Sequence, residues 1–280
     1  MADTADNTLP HLDVYTAGDG AVDRSRLEHL TEIFGPTTRA LLDRVGVDPG
    51  IACMDVGCGI GGVTYELARR VGPGGRVVGL DIDGDRLEEV RKDASALNLP
   101  NVDFQVADIR TLSPPEEEFD LVYSRFVLDH LAHPGEAVST MCRMLKPGGR
   151  LVAECTDYTG WYCYPRLAAF DRAVELASQE RQRAGGYPDI GARLPAVFLD
   201  AGLIEVQMNI FQHMELAGVF KPWVLSSLTP DRTRWMVALG IADEAEVESV
   251  LAEVTRHVEN PRTTMGTPRV AQCWGSKPAQ

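Results

Sequence analysis

A glycine-rich loop that follows an apolar strand is the feature that most constrains the fold of this chain. The segment CMDVGCGIGG places Gly57, Gly59 and Gly61 directly after the apolar run 51–56. Glycine has no side chain, so the backbone can turn tightly here and approach a ligand closely. Helical spacing of apolar residues begins at 61–71. The loop is therefore predicted to join a buried strand to a helix.

The alternation of strand and helix continues beyond this first unit. Further strands are predicted at 76–81, 102–107, 119–124 and 150–155, and helices at 84–97 and 135–145. Two later strands are predicted at 204–212 and 269–274, with a helix at 194–201 before them. Apolar strands separated by helices and short turns are typical of a parallel sheet covered on both faces. The sequence therefore predicts an α/β fold with a mostly parallel seven-stranded sheet.

The remaining segments are predicted to surround this sheet. Residues 1–23 are polar and are expected to form a mobile arm or lid, while 24–280 form a single domain. The spacing over 24–45 predicts two helices, separated at the Gly-Pro dipeptide in their middle. The segments 156–189 and 215–262 interrupt the alternation, and we expect them to be helical covers over the ligand-binding edge of the sheet.

The charge of the chain argues against partners that need a basic surface. Of 280 residues, 41 are acidic and 27 are basic, so the formal net charge is −14 at pH 7. Nucleic acids and anionic membranes are bound by clusters of lysine and arginine. No apolar run is long enough to span a membrane, and the first residues lack the pattern of a secretory leader. We therefore expect a cytoplasmic protein with a small-molecule partner, no nucleic acid and no membrane.

The cysteines indicate neither disulfide bonds nor a metal site. Six cysteines are scattered without a CxxC pair or a histidine at ligand spacing. Cys53, Cys142 and Cys155 lie in apolar stretches, where a free thiol packs as a small core residue. The acids near the glycine loop also lack the spacing of metal ligands. We expect buried free thiols and no metal.

Acidic residues follow three successive strands of the predicted sheet. Asp55 lies two residues before Gly57, where a carboxylate would repel a pyrophosphate but could accept a hydrogen bond from a cationic ligand. Asp81 lies 22 residues after Gly59 at a strand end, from which a carboxylate can bind both hydroxyls of a ribose. Asp108 ends the third strand. The glycine spacing alone is shared with dinucleotide-binding loops, and the acids favour another nucleoside ligand.

Five motifs in order carry a resemblance to a known family. They are MDVGCGIGG, VVGLDID, VADI, FDLVYSRFVLDHL and LKPGGRLVAE. With these motifs the chain resembles the class I S-adenosylmethionine-dependent methyltransferases, especially those that act on small molecules. The resemblance covers 41–155 and, more loosely, 190–212.

The resemblance implies a role for individual residues toward the cofactor. It places the glycine loop against the methionyl part of S-adenosylmethionine, Asp81 on the ribose and Ile82 on the adenine face. It places Asp108 and Ile109 at the adenine edge. Residues that flank the methionyl part and the methyl group are implied to be Ser124, Arg125 and Phe126, in addition to Asp55, Gly57, Gly59 and Gly61. Tyr15 and Arg26 are candidates to close over the cofactor, whose carboxylate suits a guanidinium.

Residues beyond the shared motifs supply candidates for the methyl acceptor and for a base. Candidate substrate-binding residues follow the fifth strand and are Tyr158, Trp161, Tyr162 and Tyr164, although such a cluster also suits ordinary packing of a cover. Candidate catalytic residues are His213, Asp157 and His130. Each histidine is also compatible with a structural position at the end of a strand or helix.

The sequence therefore predicts a Rossmann-like methyltransferase. It would transfer a methyl group from S-adenosyl-L-methionine, leaving S-adenosyl-L-homocysteine, to O, N or C of a small apolar or aromatic metabolite in a biosynthetic pathway. We expect a monomer or a homodimer. Alternatives are a cyclase or lyase that retains the cofactor without methylating, a NAD(P)-dependent oxidoreductase, and a methyltransferase acting on protein or RNA.

Overall fold

A computed structural model describes residues 20–217 and 221–279 of the protein, which form two sheets surrounded by helices. The strands are β1 (Ala52–Val56), β2 (Arg76–Asp81), β3 (Val102–Val106), β4 (Phe119–Arg125), β5 (Leu145–Asp157), β6 (Tyr162–Tyr164), β7 (Ile204–Phe211), β8 (Met214–Glu215), β9 (Thr264–Gly266) and β10 (Arg269–Ser276). The α-helices are α1 (Gly20–Val45), α2 (Gly62–Val71), α3 (Gly84–Ala96), α4 (Pro134–Met144), α5 (Ala168–Arg183), α6 (Ile190–Asp200), α7 (Pro230–Ala238) and α8 (Glu244–Glu259).

The main sheet has seven strands in the order β3-β2-β1-β4-β5-β10-β7. All pairs from β3 to β5 are parallel, and β10 runs antiparallel to both of its neighbours. This confirms the predicted seven-stranded, mostly parallel sheet. The chain builds outward from β1 to β3 and then returns to the other side of β1 with β4. The loops after β1 and β4 therefore diverge, and such a switch point is where open α/β sheets bind ligands.

Alternate residues of the central strands enter two different cores. Cys53 of β1 packs in a cluster with residues of α1 and α2. Met54, its neighbour, packs on the opposite face with residues of α4 and α6. Both faces of the sheet are therefore covered, as predicted. Cys53, Cys142 and Cys155 are all buried free thiols, which confirms that they are core residues.

A second group of elements forms a cap beside the main sheet. We use "cap" for α5, α7, α8, the 3-10 helix Lys221–Leu228 and the three-stranded sheet of order β6-β9-β8. Its helices share one hydrophobic cluster, whose fully buried members include Leu176, Met236 and Val254. Helix α7 and the small sheet were not predicted from the sequence, because strands of two or three residues have too few positions to show an alternating pattern.

Helix α1 differs from the predicted pair of helices, because it continues through Pro36. Proline removes one backbone hydrogen bond and normally kinks or ends a helix. Here the residues on both sides of the proline are anchored: Phe34 and Leu42 are fully buried. We attribute the continuity of α1 to this burial. Among the described residues, no helix combines the length and apolar character that a membrane span requires.

The start of β5 also differs from the prediction, because the LKPGGR turn is counted within the strand. Leu145 pairs with Phe119, but Leu121 pairs with Arg150, so the register shifts between them. Gly148 has φ +78°, a conformation that glycine adopts without strain. The expected turn is thus a local irregularity at the beginning of a strand that continues to Asp157.

A buried carboxylate joins α1 to three strands of the main sheet. Glu154 on β5 is fully buried. Its carboxylate accepts hydrogen bonds from Thr38 Oγ1 at 2.6 Å and Gln272 Nε2 at 2.8 Å, and also from the hydroxyl of Tyr123. Three side chains from α1, β4 and β10 thus donate to one buried carboxylate, and each would lose a hydrogen bond without it.

We expect Glu154→Ala to lower the free energy of unfolding by about 3 kcal/mol or more, because it removes the acceptor of three buried donors. Urea unfolding would measure this change. The matched control is Glu253→Ala on the exposed face of α8, which should change stability by less than about 0.5 kcal/mol. Equal effects of the two substitutions would contradict the structural role of Glu154.

Candidate functional site

A cleft of about 1000 Å³ lies at the carboxyl ends of β1 to β4. The loops that follow these four strands form its floor, α1 lines one side, and residues of α5 and α7 line the cap side. It therefore occupies the switch point of the main sheet, where the topology leaves space between diverging loops. Sequence-predicted residues that line it are Arg26, Asp55, Gly57, Gly59, Asp81, Ile82, Asp108, Ile109, Arg125, Phe126 and His130.

The glycine loop is held in place by Asp81 at the end of β2. Its Oδ2 accepts a hydrogen bond from the backbone N–H of Gly59 at 2.8 Å, and its Oδ1 accepts one from Asp83 at 3.1 Å. Gly57 has φ +73°, and a Cβ there would lie 2.1 Å from Cγ2 of Val127. A side chain at this position would therefore collide with the segment after β4.

Asp55 contributes a buried negative charge to the floor of the cleft. Its side chain is buried, and Oδ2 accepts a hydrogen bond from Thr64 Oγ1 at 2.6 Å. Burial raises the pKa of Asp55 to about 6, and the nearby Arg125 partly opposes this rise. The carboxylate thus lies beside the cleft with little solvent around it, which favours a cationic ligand group over an anionic one.

The β2–β3 side of the cleft combines an apolar surface with a carboxylate. Ile82 is 52% exposed, whereas Ile109 is buried. Asp108 forms a two-pronged ion pair with Arg110, whose Nη2 lies 2.6 Å from Oδ2. Hydrogen bonds from Arg110 lower the pKa of Asp108, so its carboxylate is ionised. A planar apolar group with a polar edge would fit such a surface.

The wall formed by α1 is tied to α3 across the opening of the cleft. Arg24 donates hydrogen bonds to Glu89 at 3.0 Å and to Asp93 at 2.9 Å, both on α3. Arg26 lies two residues after Arg24 on α1 and lines the cleft. Tyr15 and the greater part of the predicted arm, 1–19, lie outside the described residues.

His130 lies at the cap side of the cleft in contact with an arginine. Nη1 of Arg181 is 2.8 Å from Nε2 of the imidazole. Burial, with the charge of Arg181 as a second cause, lowers the pKa of His130 to about 3. The imidazole is therefore neutral at pH 7 and is a weak base.

Two sequence-predicted residues of the cofactor set have structural positions beside the cleft instead of lining it. Gly61 has φ +80°, and a Cβ there would lie 2.5 Å from Cζ of Tyr65. Ser124 is buried, and its Oγ has no hydrogen-bond partner among the described residues. Gly61 thus allows α2 to begin close to the loop.

The other two proposed catalytic residues do not line the cleft. His213 lies 3.2 Å from Glu215 through Nε2 and belongs to the connection between β7 and β8. Asp157 is buried, and it accepts hydrogen bonds from Thr159 and pairs with Arg269 at 3.2 Å. Both side chains have partners that explain their positions without a substrate.

The four aromatic residues proposed for substrate binding also lie outside the cleft lining. Trp161 packs edge-on against Tyr158, with ring centroids 5.9 Å apart, and it joins the apolar core of the cap. Tyr162 and Tyr164 belong to β6 and are exposed. Trp161 therefore packs in the cap, which was the alternative that the sequence left open, and substrate binding by the other three stays a prediction.

Three charged residues of the cap were missed by the sequence analysis. Glu180 and Arg181 on α5 and Arg232 on α7 line the cleft opposite the glycine loop. Glu180 is buried and pairs with Arg232. Their sequence surroundings look like ordinary polar helix faces, so no local pattern indicated that they would meet at the cleft.

We expect Asp55→Asn to remove a pH dependence of stability. Burial raises the pKa from 3.8 to about 6, so the native state holds this proton more tightly than the unfolded chain. The resulting stabilisation is therefore present at low pH and is lost, by about 3 kcal/mol, as pH rises through the interval between these values. Urea unfolding at about pH 4 and about pH 7 would measure it. The exposed control Asp103→Asn should keep the pH dependence of the unaltered protein. If Asp55→Asn also kept it, the raised pKa would not belong to Asp55.

Comparison with known proteins identifies the same family through several relatives. A family model described as a methyltransferase domain matches residues 47–185. Nocamycin O-methyltransferase of Saccharothrix syringae is 35% identical over 120 residues, covering 43% of this chain and 43% of that enzyme. A Bacillus halodurans structure assigned to the methyltransferases is 20% identical with a TM-score of 0.60, covering 86% of this chain and 98% of its own. Phosphoethanolamine N-methyltransferase 2 of Haemonchus contortus, solved with S-adenosyl-L-methionine, is 18% identical with a TM-score of 0.57, covering 87% of this chain and 52% of its own.

These matches differ in what they establish. The two solved structures share the fold, at 20% identity or less. The match to the curated O-methyltransferase spans less than half of that enzyme's length. The family model covers the glycine loop, Asp81 and Asp108, and therefore the floor of the cleft. Residues 47–185 therefore belong to a methyltransferase domain, and the sheet order and the five motifs of the chain are those of the class I S-adenosylmethionine-dependent methyltransferases.

Proposed function

We propose that this protein binds S-adenosyl-L-methionine in the cleft and transfers its methyl group to a small molecule. The observation that carries the proposal is the set of acids at the ends of three adjacent parallel strands, Asp55, Asp81 and Asp108, around one glycine loop. A pyrophosphate would meet these carboxylates with the same sign of charge. A nucleoside that carries a sulfonium and an amino group matches them.

Asp81 and its neighbours would hold the nucleoside part. Each carboxylate oxygen of Asp81 accepts one backbone hydrogen bond and retains further lone pairs, which suit the two hydroxyls of a ribose. The exposed side chain of Ile82 offers an apolar face for adenine, and Asp108 with Ile109 provides its edge. This arrangement fits the cofactor without any movement of the loop that Asp81 already holds.

The methionyl part would lie along the glycine loop. Asp55 places a buried carboxylate there, and Gly57 and Gly59 keep the backbone free of side chains. Arg125 and Arg26 line the same region and suit the carboxylate of the amino acid. Phe126, with φ +57°, packs edge-on against Phe34 of α1 at 5.1 Å and so borders this region on the β4 side.

When bound, S-adenosyl-L-methionine supplies a methyl group activated by the positive sulfur. The chain then has to hold the acceptor in line and keep water out, and correct placement can supply most of the acceleration. His130 is neutral at pH 7 because burial and Arg181 disfavour its charged form. Because its one acceptor nitrogen accepts from Arg181, we propose that the remaining ring N–H donates a hydrogen bond that orients the acceptor. Because its pKa is low, His130 is poorly suited to act as a general base at neutral pH.

The acceptor is proposed to be a small metabolite, methylated on O, N or C. Residues of the cap close one side of the cleft, which leaves an enclosed space suited to a small molecule. The oligomeric state, monomer or homodimer, and the cytoplasmic location stay predictions from the sequence.

Calorimetric titration with S-adenosyl-L-homocysteine, run beside NAD and NADP on protein stripped of bound ligand, tests the proposed cofactor. Micromolar binding of the homocysteine nucleoside alone is expected, and binding of a dinucleotide alone would overturn the proposal.

Incubation with S-adenosyl-L-methionine and candidate acceptors, followed by mass analysis, then tests the reaction. A product heavier by one methylene supports methyl transfer, whereas an isomer of the substrate would indicate a cyclase that retains the cofactor.

We expect Asp81→Asn to weaken binding of S-adenosyl-L-homocysteine by more than tenfold, or about 1.4 kcal/mol. The amide oxygen can replace only one of the two carboxylate oxygens that accept from the backbone N–H groups of Gly59 and Asp83, and the amide lacks the charge that binds two hydroxyls. Asp103→Asn on the exposed side of β3 makes the same change outside the cleft and should leave the affinity unaltered. Calorimetry of both variants measures the difference, and an unchanged affinity in Asp81→Asn would contradict the ribose assignment.

A further inference from the structure

We infer that the methyl acceptor carries an anionic group, a carboxylate or a phosphate, and that Arg181 of the cap binds it. The inference rests on the proposed function, because it concerns the other end of the same cleft. It also changes an expectation from the sequence, which favoured an apolar or aromatic acceptor bound by tyrosines.

Arg181 is a largely buried cation whose hydrogen bonds go to neutral groups. Its side chain is 13% exposed and lines the cleft. Nη1 lies 2.8 Å from the neutral imidazole of His130, and Nη2 is 3.5 Å from the hydroxyl of Tyr158. Guanidinium groups bind carboxylates and phosphates about twice as strongly as neutral acceptors, and often through two parallel hydrogen bonds. An anion in the cleft would therefore give Arg181 a stronger hydrogen-bond acceptor than the protein itself provides.

The two acids near Arg181 do not accept a hydrogen bond from it. Oδ2 of Asp129 accepts a hydrogen bond from Thr156 at 3.2 Å and forms an ion pair with Nη1 of Arg181 at 3.7 Å, which is beyond hydrogen-bond distance. Glu180 forms its ion pair with Arg232. Arg181 thus has one buried carboxylate at ion-pair distance, but its hydrogen bonds to described residues go to neutral groups.

The charges that act on His130 are mostly positive. Arginines 26, 181 and 232, from α1, α5 and α7, each act to lower its pKa, and Asp129 alone of its named neighbours acts to raise it. Arg232 is paired with Glu180. Arg181 is therefore the cap arginine whose field can attract an anionic ligand group at this side of the cleft.

The order of the strands separates Arg181 and His130 from the proposed nucleoside site. Asp81 and Asp108 lie at the ends of β2 and β3, on one side of β1. His130 follows β4, on the other side of β1, and Arg181 contacts it from the cap. An anion held by Arg181 would therefore belong to the acceptor, with the glycine loop between it and the ribose position.

The experiment measures binding of three small probes to protein saturated with S-adenosyl-L-homocysteine. The probes are benzoate, phenyl phosphate and benzamide, of which benzamide is a neutral analogue of benzoate with nearly the same shape. Calorimetry or chemical-shift titration should show that at least one anion binds tenfold or more tightly than benzamide. Benzoate and phenyl phosphate distinguish a carboxylate from a phosphate as the preferred group.

Arg181→Gln should abolish the preference for the anion and leave the affinity for S-adenosyl-L-homocysteine unchanged. Arg183→Gln is the matched control, because Arg183 is exposed two residues further along α5 and does not line the cleft. Arg181→Lys keeps the charge but loses the planar fork, and it should retain part of the preference. Thermal unfolding of each variant establishes that it is folded, and the comparison of benzoate with benzamide on the unaltered protein needs no variant.

Each contrary result has a distinct meaning. Equal binding of benzamide and the anions, or no anion binding at millimolar concentration, would overturn the inference. So would a preference that survives in Arg181→Gln. Loss of S-adenosyl-L-homocysteine affinity in Arg181→Gln would assign Arg181 to the cofactor carboxylate instead. Failure of the unaltered protein to bind S-adenosyl-L-homocysteine would overturn the proposed function itself, and the inference with it.

Discussion

The hydrogen bonds between Asp81 and the glycine loop are the interaction on which the cleft depends. One carboxylate at the end of β2 accepts from the N–H of Gly59 at 2.8 Å and from that of Asp83 at 3.1 Å. It therefore fixes the turn after β1 and the start of α3 together. Because Asp81 is buried, these bonds are little weakened by water. The proposed ribose position is thus prepared by the same contacts that hold the loop, so binding of the nucleoside would require little reorganisation.

The floor of the cleft could be predicted from the sequence because its determinants are local. Apolar runs such as 51–56 identify buried strands, and the glycines and acids follow those runs within a few residues. Parallel strands bring their carboxyl ends to one edge of the sheet, so residues distant in sequence become neighbours once the strands are recognised. Asp55, Asp81 and Asp108 were found in this way, and all three line the cleft.

The cap could not be predicted to the same depth, because its contacts are between distant segments. Arg181 on α5 and Arg232 on α7 reach the cleft only through the packing of helices whose sequences show ordinary amphipathic patterns. The same limit applies to the candidates that lie away from the cleft. His213 follows a strand as a base might, but that strand is β7, which lies at the far edge of the sheet from β1, β2 and β3. Position at a strand end predicts a site only when the strand borders the switch point.

The floor and the cap side of the cleft consequently present different charged groups. Asp55, Asp81 and Asp108 lie on the floor, where the sulfonium and amino group of the cofactor would lie, and Arg181 lies on the cap side beside the ion pair of Glu180 and Arg232. The floor comes from the sheet, whose strand order limits what its loops can present. The cap comes from inserted helices that share a separate core, so its side chains can change without disturbing the glycine loop. This division of the fold would allow one cofactor site to serve different acceptors, and if Arg181 binds the acceptor as proposed, residues that no motif marks would determine acceptor specificity.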